Sequence, residues 1–209
     1  MRRKHNWPLE IIGIMLALLW LSPFYIMIVN SFKTKKEMFT DVLNLPEALN
    51  FDNYVEAFKQ LDFLKTLFNS VFITVVSVVL IILFSSMAAY ALSRNKSKVS
   101  TVLFFVFVAA MLIPFQTVMI PLISVFGKFE MLNRAGLIFM YVGFGASLSI
   151  FLYHGSLKGI SQSLDEAATI DGANRWQIFW HIIFPILKPI TVTVAILNTI
   201  WIWNDYLLP

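Results

Sequence analysis

Long stretches of this chain contain no Lys, Arg, Asp or Glu at all: residues 11–32, 66–93, 99–126 and 135–157, with a further apolar run from about 187 to 206 that meets an acid only at Asp205. Each of these runs is close to or above the roughly 20 residues that an α-helix needs to cross the hydrocarbon core of a bilayer. Composition points the same way, with 58% hydrophobic and only 13% charged residues in a chain of 209. The predicted class is therefore all-α, a polytopic integral membrane helix bundle with spans at about 11–32, 66–93, 99–126, 135–157 and 187–206. A secretory signal peptide is the competing reading of the first run, which follows Arg2, Arg3, Lys4 and His5. Such a peptide ends in small residues after a shorter apolar stretch, whereas Trp20, Pro23, Phe24 and Tyr25 stand here.

Between the runs lie polar turns of differing character. Residues 33–65 mix Lys33, Lys35, Lys36, Lys59 and Lys65 with Glu37, Asp41, Glu47, Asp52, Glu56 and Asp62, which predicts a loop outside the bilayer with a short amphipathic helix around 54–61. The turn Arg94-Asn95-Lys96-Ser97-Lys98 is basic without an acid, the kind of short loop retained on the cytoplasmic side. Two spans separate it from residues 1–10, so the N-terminal tail is expected on the same, inner face. The net charge of +4 is scattered over such turns rather than gathered on one surface, and nucleic acid is not an expected partner.

Several residues invite a chemical reading. Pro114 and Pro121 interrupt the third run, and proline removes an amide donor and clashes with the carbonyl four residues back, so a kink or unwound turn is expected. Gln116 between them is a candidate for a solute pathway, since broken helices line cavities in transporters; Asn198, Asn204 and Asp205 are further candidates in the last run. Asp205 also fits an outer-interface position where it caps a turn, and Trp201 and Trp203 suit interfacial anchors. Gly136, Gly143, Gly145 and Ala146 would let helices approach closely. His5, His154 and His181 are too far apart in sequence to suggest a metal site, no cysteine is present, and no serine has the nucleophile-elbow pattern. No cofactor or catalytic residue is expected.

The one patterned polar island lies in the loop 158–186. Ser163 and Glu166 fit a capping box that would start a helix at Leu164, with Gly172 stopping it. Asn174 and Gln177 predict a second start. Beyond it, Trp176, Phe179, Trp180 and Ile183 would form one apolar stripe. Ala167 and Ala168 would give the first helix a low-profile surface for a groove on another protein. On the residues alone, a solvated loop that merely stays out of the bilayer is an equal reading.

The spacing of Glu166, Ala167, Ala168, Gly172, Ile182 and Pro185 resembles the EAA motif, E-A-A-x3-G-x9-I-x-L-P, of permease subunits of binding-protein-dependent ABC importers, with Phe184 in place of the usual leucine. Asn30-Ser31-Phe32-Lys33, Asn69-Ser70, Ala88 through Arg94, Ile113-Pro114, Ile120-Pro121-Leu122, Ile170-Asp171-Gly172-Ala173 and Trp203-Asn204-Asp205 are similar to the carbohydrate, maltose-type branch. Ser161 departs from a proline frequent there. The resemblance implies six spans, of which five fit, so a C-terminal span is expected to be missing. It also implies a coupling helix carried by Glu166, Ala167, Ala168, Asp171, Gly172 and Ala173, with Ser163, Asn174, Trp176 and Pro185 supporting the loop.

By the same resemblance the chain is a transport subunit of a prokaryotic cell membrane. It would form half of a sugar or oligosaccharide path beside a second permease subunit, with an extracellular or periplasmic solute-binding protein outside. ATP–Mg would be bound and hydrolysed on a separate ATP-binding cassette ATPase dimer, because this chain has no G-x-x-x-x-G-K-[ST] phosphate loop. The alternatives are a permease for a non-sugar solute and a truncated assembly partner that does not transport.

Overall fold

The computed structural model describes residues 6–208, and every regular element among them is helical. The chain divides into two compact units at Leu67–Phe68, inside one continuous helix.

The first unit opens with α1 (Trp7–Ser31), which has Pro8 in its first turn and is apolar on all sides. Pro23 within it has no N–H for the carbonyl of Leu19, and the hydroxyl of Ser22 donates to that oxygen at 2.8 Å. The helix therefore continues through the proline with its backbone satisfied, as a membrane interior demands. The loop that follows is built rather than loose. Thr34 and Glu37 make a reciprocal capping box that starts α2 (Lys35–Thr40), an element the sequence reading did not anticipate. The expected amphipathic helix is α3 (Asp52–Gln60). Asn30 donates to the carbonyls of Ile26 and Val42, Asn53 to those of Ser31 and Lys33, and the buried Lys33 ammonium to that of Asp41 at 2.6 Å. The rings of Phe32, Phe51 and Tyr54 close over this knot. The basic tail, Arg2 to His5, lies outside the described residues.

The second unit is organised by α4 (Phe63–Arg94), whose later part carries the core stripe Ser77, Val78, Ile81, Ser85 and Ala89. At 1.5 Å per residue its 32 residues span about 48 Å, longer than a ~30 Å hydrocarbon core. Ser97 caps α5 (Lys98–Ala110), and after a break at Pro114 the chain resumes as α6 (Phe115–Lys128), bent from α5 by 101°. Pro114 supplies the N-cap of α6, while Pro121 is accommodated inside it. Next comes α7 (Arg134–Leu157), capped by Asn133. Of the small residues expected to pack there, Gly145 does so: a Cβ would stand 2.5 Å from Ile81 Cδ1 and 2.6 Å from Asn198 Oδ1. Gly143 has nothing within 4 Å and is no packing contact within this chain.

After the loop of interest the chain continues through α10 (Phe184–Ile186) into α11 (Lys188–Trp203), turning by 75° at the break. By length and apolarity α1, α4 and α7 can each cross a membrane alone, and the two bent pairs bring the number to five if each counts as one span.

Candidate functional site

Residues 158–186 form two short helices that return to the membrane-spanning part through a distorted turn. The first, α8 (Ser163–Ile170), does not start as its sequence suggested. Ser163 lies inside the helix rather than capping it; its own amide donates to Ser161 Oγ at 3.2 Å, two residues earlier, and Gln162 is the N-cap without a side-chain bond. The S-x-x-E pattern loses because Ser161 offers a hydroxyl two residues closer to the end of α7. Asp165 and Glu166 still sit in the first turn, where acids complement the helix dipole.

The end of α8 is as the glycine predicts. Gly172 has φ +86°, its N–H bonds the carbonyl of Thr169, and the N–H of Ala173 reaches back to that of Ala168 at 2.9 Å. These two bonds are a complete Schellman cap, whose left-handed residue is least strained as glycine. Asn174 and Gln177 then make the anticipated reciprocal box at the start of α9 (Arg175–Ile178).

Beyond α9 the backbone adopts a π-helical turn, Phe179–Ile183. The wider turn breaks the 3.6-residue period, so the predicted stripe does not form as one face. Phe179 and Ile183 are buried together with Ile178, whereas Trp176 is 61% exposed and points away. Trp180 packs edge-on against Phe179 and Phe184. Pro185 lies in the first turn of α10, where its missing N–H costs nothing.

The two alanines also separate. Ala168 is buried in the core, and Ala167 faces outward with Glu166. Ile170, which sequence reasoning passed over, is 86% exposed at the tip beside Gly172. The signal was present as a β-branched apolar residue on the last turn before a stop glycine. The tip thus presents Ala167 and Ile170 outward on a short helix pair, with Glu166 and Trp176 exposed at the rim of the cleft behind it.

Behind the tip, a cleft of about 680 Å³ separates α8 and α9 from the last turns of α4. Across it Arg94 Nη2 stands 2.9 Å from Asp165 Oδ2, off the axis of its N–H, so the contact is ionic rather than a hydrogen bond. Both side chains are 16% exposed. Arg94 Nη1 donates to the carbonyl of Ile160 at 3.2 Å, and Tyr90 donates its hydroxyl to Asp165 Oδ1 at 2.5 Å. The basic turn at 94–98 read as uncompensated in sequence; in space Arg94 is paired with an acid from the loop.

The solute-pathway candidates scatter. Gln116 is exposed in the first turn of α6. Asn198 is buried between helices, donating to Ser149 Oγ at 3.1 Å and to the Val194 carbonyl at 2.8 Å, a role as interhelical glue. Asn204 donates to the Ile200 carbonyl. Asp205 Oδ1 accepts from the Leu207 amide, and Oδ2 accepts the Tyr141 hydroxyl at 3.0 Å, with Trp201 edge-on to the same ring. Of the histidines, His154 stacks on Phe104 at 4.1 Å, the His181 ring pairs with the Gln177 carbonyl, and His5 is outside the described residues.

Residues 81–209 match the profile of the family described as "Binding-protein-dependent transport system inner membrane component". Over its full length the chain is 56% identical to the "Probable starch degradation products transport system permease protein AmyC" of Thermoanaerobacterium thermosulfurigenes, covering 77% of that protein. It is 37% identical to the "Multiple sugar-binding transport system permease protein MsmG" of Streptococcus mutans, over 92% of this chain and 70% of that one. Among solved structures, a bacterial ABC transporter "involved in the import of the acidic polysaccharide alginate" superposes with a TM-score of 0.75 at 28% identity, over 97% of this chain and 74% of its own.

Proposed function

The chain belongs to the family of binding-protein-dependent transport inner-membrane components, and on that premise we propose that it is the permease subunit of an ABC importer for a sugar or oligosaccharide. Its relatives in this family are named for starch degradation products and for multiple sugars, which favours a carbohydrate over other solutes. In this reading the chain contributes half of a path, a second permease subunit contributes the other, and a solute-binding protein delivers the sugar from outside. ATP is hydrolysed on partner subunits, and the N-terminus and the loop 158–186 face those subunits on the inner side.

The observation that carries the coupling role is the tip itself. A large apolar side chain, Ile170, is 86% exposed on a helix fixed at its C-terminus by a Schellman cap, between α7 and α11. With Ala167 and Trp176 it makes the tip an apolar patch on an otherwise polar loop, and such a patch suits a groove on a protein partner. Glu166, Ala167 and Trp176 form the rest of that docking face, while Ala168, Asp171, Gly172, Ala173 and Asn174 hold it in shape.

The test is reconstitution with the second permease and the ATPase subunits in proteoliposomes, with radiolabelled maltotriose as the probe. Ile170→Asp is expected to release the ATPase subunits while the permease still inserts. Retention of the ATPase by this variant would overturn the coupling assignment. A panel of labelled sugars, amino acids and phosphate tests the solute class, and uptake of a non-sugar alone would overturn that part.

A further inference from the structure

The most heavily connected side chain behind the docking face is not in the loop. It is Tyr90, one turn from the end of α4, and it touches both arms of the loop at once. Its hydroxyl donates to Asp165 in the first turn of α8. Its ring packs on Phe179, the first residue of the π-helical turn, with centroids 5.4 Å apart. It also carries the Arg94 guanidinium over its ring, 5.8 Å from the centroid. Arg94 in turn holds Asp165 by charge and the Ile160 carbonyl by a hydrogen bond, so the entry to α8 is tied at two points.

Chain connectivity links the loop to α7 on one side and to α11 on the other. Neither link continues as a regular α-helix: the exit runs through a π-helical turn and a 75° break, and the entry through the non-helical residues around Ser161. The ties to α4 are of a different kind. They join the ends of two regular helices, with the charge of Arg94 at a helix C-terminus and that of Asp165 at a helix N-terminus, each also favourable to its own helix dipole.

Resting on the coupling reading above, we propose that Tyr90, Arg94 and Asp165 are positioning residues that carry the displacement of α8 into α4, making α4 the first membrane helix to follow the ATPase subunits. A docking force on the tip is then delivered to the core stripe of α4 around Ile81, which is keyed into Gly145 of α7. Loss of the ties leaves a tip that still docks but is joined to the spans only through its two irregular connections.

The experiment uses the assembled transporter in proteoliposomes and measures two quantities, binding of the ATPase subunits and maltotriose taken up per ATP hydrolysed. Tyr90→Phe removes only the hydroxyl, and Asp165→Asn only the charge. Both are expected to bind the ATPase within about twofold of the parent and to lower uptake per ATP by roughly fivefold or more, the scale of an ordinary coupling free energy. The double variant is expected to be no worse than Asp165→Asn alone, because the two act through one contact. Asp165→Glu, which keeps the charge, is expected to recover at least half of the lost ratio, a rescue that a purely space-filling role does not give. Parental uptake per ATP in both single variants overturns the proposal, as does loss of ATPase binding in parallel with uptake. Failure of the coupling reading itself would show separately, as retention of the ATPase by Ile170→Asp.

Discussion

The chain holds two polar loops against its helices by opposite means. The loop after α1 is knotted by short-range, mostly neutral bonds, in which Asn30, Lys33 and Asn53 reach backbone carbonyls no more than 22 residues away. The loop 158–186 relies for its seating on charge and aromatic contact with a helix far back in the chain: Tyr90 and Asp165 are 75 residues apart, and Arg94 and Ile160 are 66 apart. A knot of local bonds fixes its own shape whatever the rest of the molecule does. A loop fastened by distant side chains takes its position from another element and returns motion to it, which is what a transmitting part requires.

Removing the cation that fastens each loop should separate the two most clearly. Arg94→Met strands Asp165 in a mostly enclosed place with only the Tyr90 hydroxyl, and breaking a pair of this kind is expected to cost about 3 kcal/mol. Lys33→Met loses one bond to a neutral carbonyl and a weak attraction to Glu37 and Asp41, together with the expense of burying an ammonium, and should cost about 1 kcal/mol. Hydrogen exchange in detergent would read both, as faster exchange across α8 in the first variant and little change across α2 in the second. Equal effects in the two loops would erase the distinction.

A smaller contrast concerns backbone strain. The loop 158–186 turns at Gly172 with φ +86°, whereas the first loop turns into α4 at Asp62 with φ 48°. Gly172→Val puts a β-branched side chain in the left-handed region and is expected to cost about 1–2 kcal/mol. Asp62→Gly relieves a strain that Asp tolerates and gives back unfolded-chain entropy, so it should change stability by less than about 0.5 kcal/mol. Protease susceptibility of the two loops reports each.

What could be read from sequence follows the same division. What could be read is local, in the apolar runs, the break at Pro114, the stop at Gly172 and the Asn174–Gln177 box, although the equally local Thr34–Glu37 box was missed. Ser163 shows the limit of such patterns, since its own amide bonds the Ser161 hydroxyl two residues earlier and the helix starts at Ser163 with Gln162 as the N-cap. The face on which Ala168 lies, the ionic partner of Arg94 and the role of Tyr90 depend on which helices meet. A π-helical turn at Phe179 shifts the register after it, and no spacing rule written for 3.6 residues per turn could foresee that. Likewise Asn198, polar in an apolar run, reads equally as pathway or glue until Ser149 is seen beside it.

Each loop has one capping box, and there the two should respond alike. Thr34→Ala and Asn174→Ala each remove one side-chain acceptor from a free amide, and each is expected to cost about 1 kcal/mol. Local exchange at the first turns of α2 and α9 is the measurement, and a much larger loss in either would show that its cap also serves a long-range contact.

The two boxes differ in one respect, which gives the smallest effect and the most selective. The α9 box is Asn174 with Gln177, and neither titrates. The α2 box uses Glu37, whose carboxylate accepts the Thr34 amide at 2.8 Å, and that bond holds its pKa below the ordinary 4.5, helped by the Thr34 hydroxyl. Asp41, at the other end of α2, is likewise lowered from 3.8, by the Asn44 side chain first and then the Asn44 amide. A carboxylate depressed in the folded state contributes stability that is present above its unfolded value and is lost as pH falls through its folded one. The end bonds of α2 should therefore be intact at neutral pH and weaken once the pH drops below about 4, while α9 keeps its box throughout. Glu37→Gln, which caps without titrating, should remove most of the acid dependence from the first turn of α2 and leave that of Asp41. If α2 and α9 opened together on acidification, the loss would belong to the fold as a whole and not to the ionisable cap.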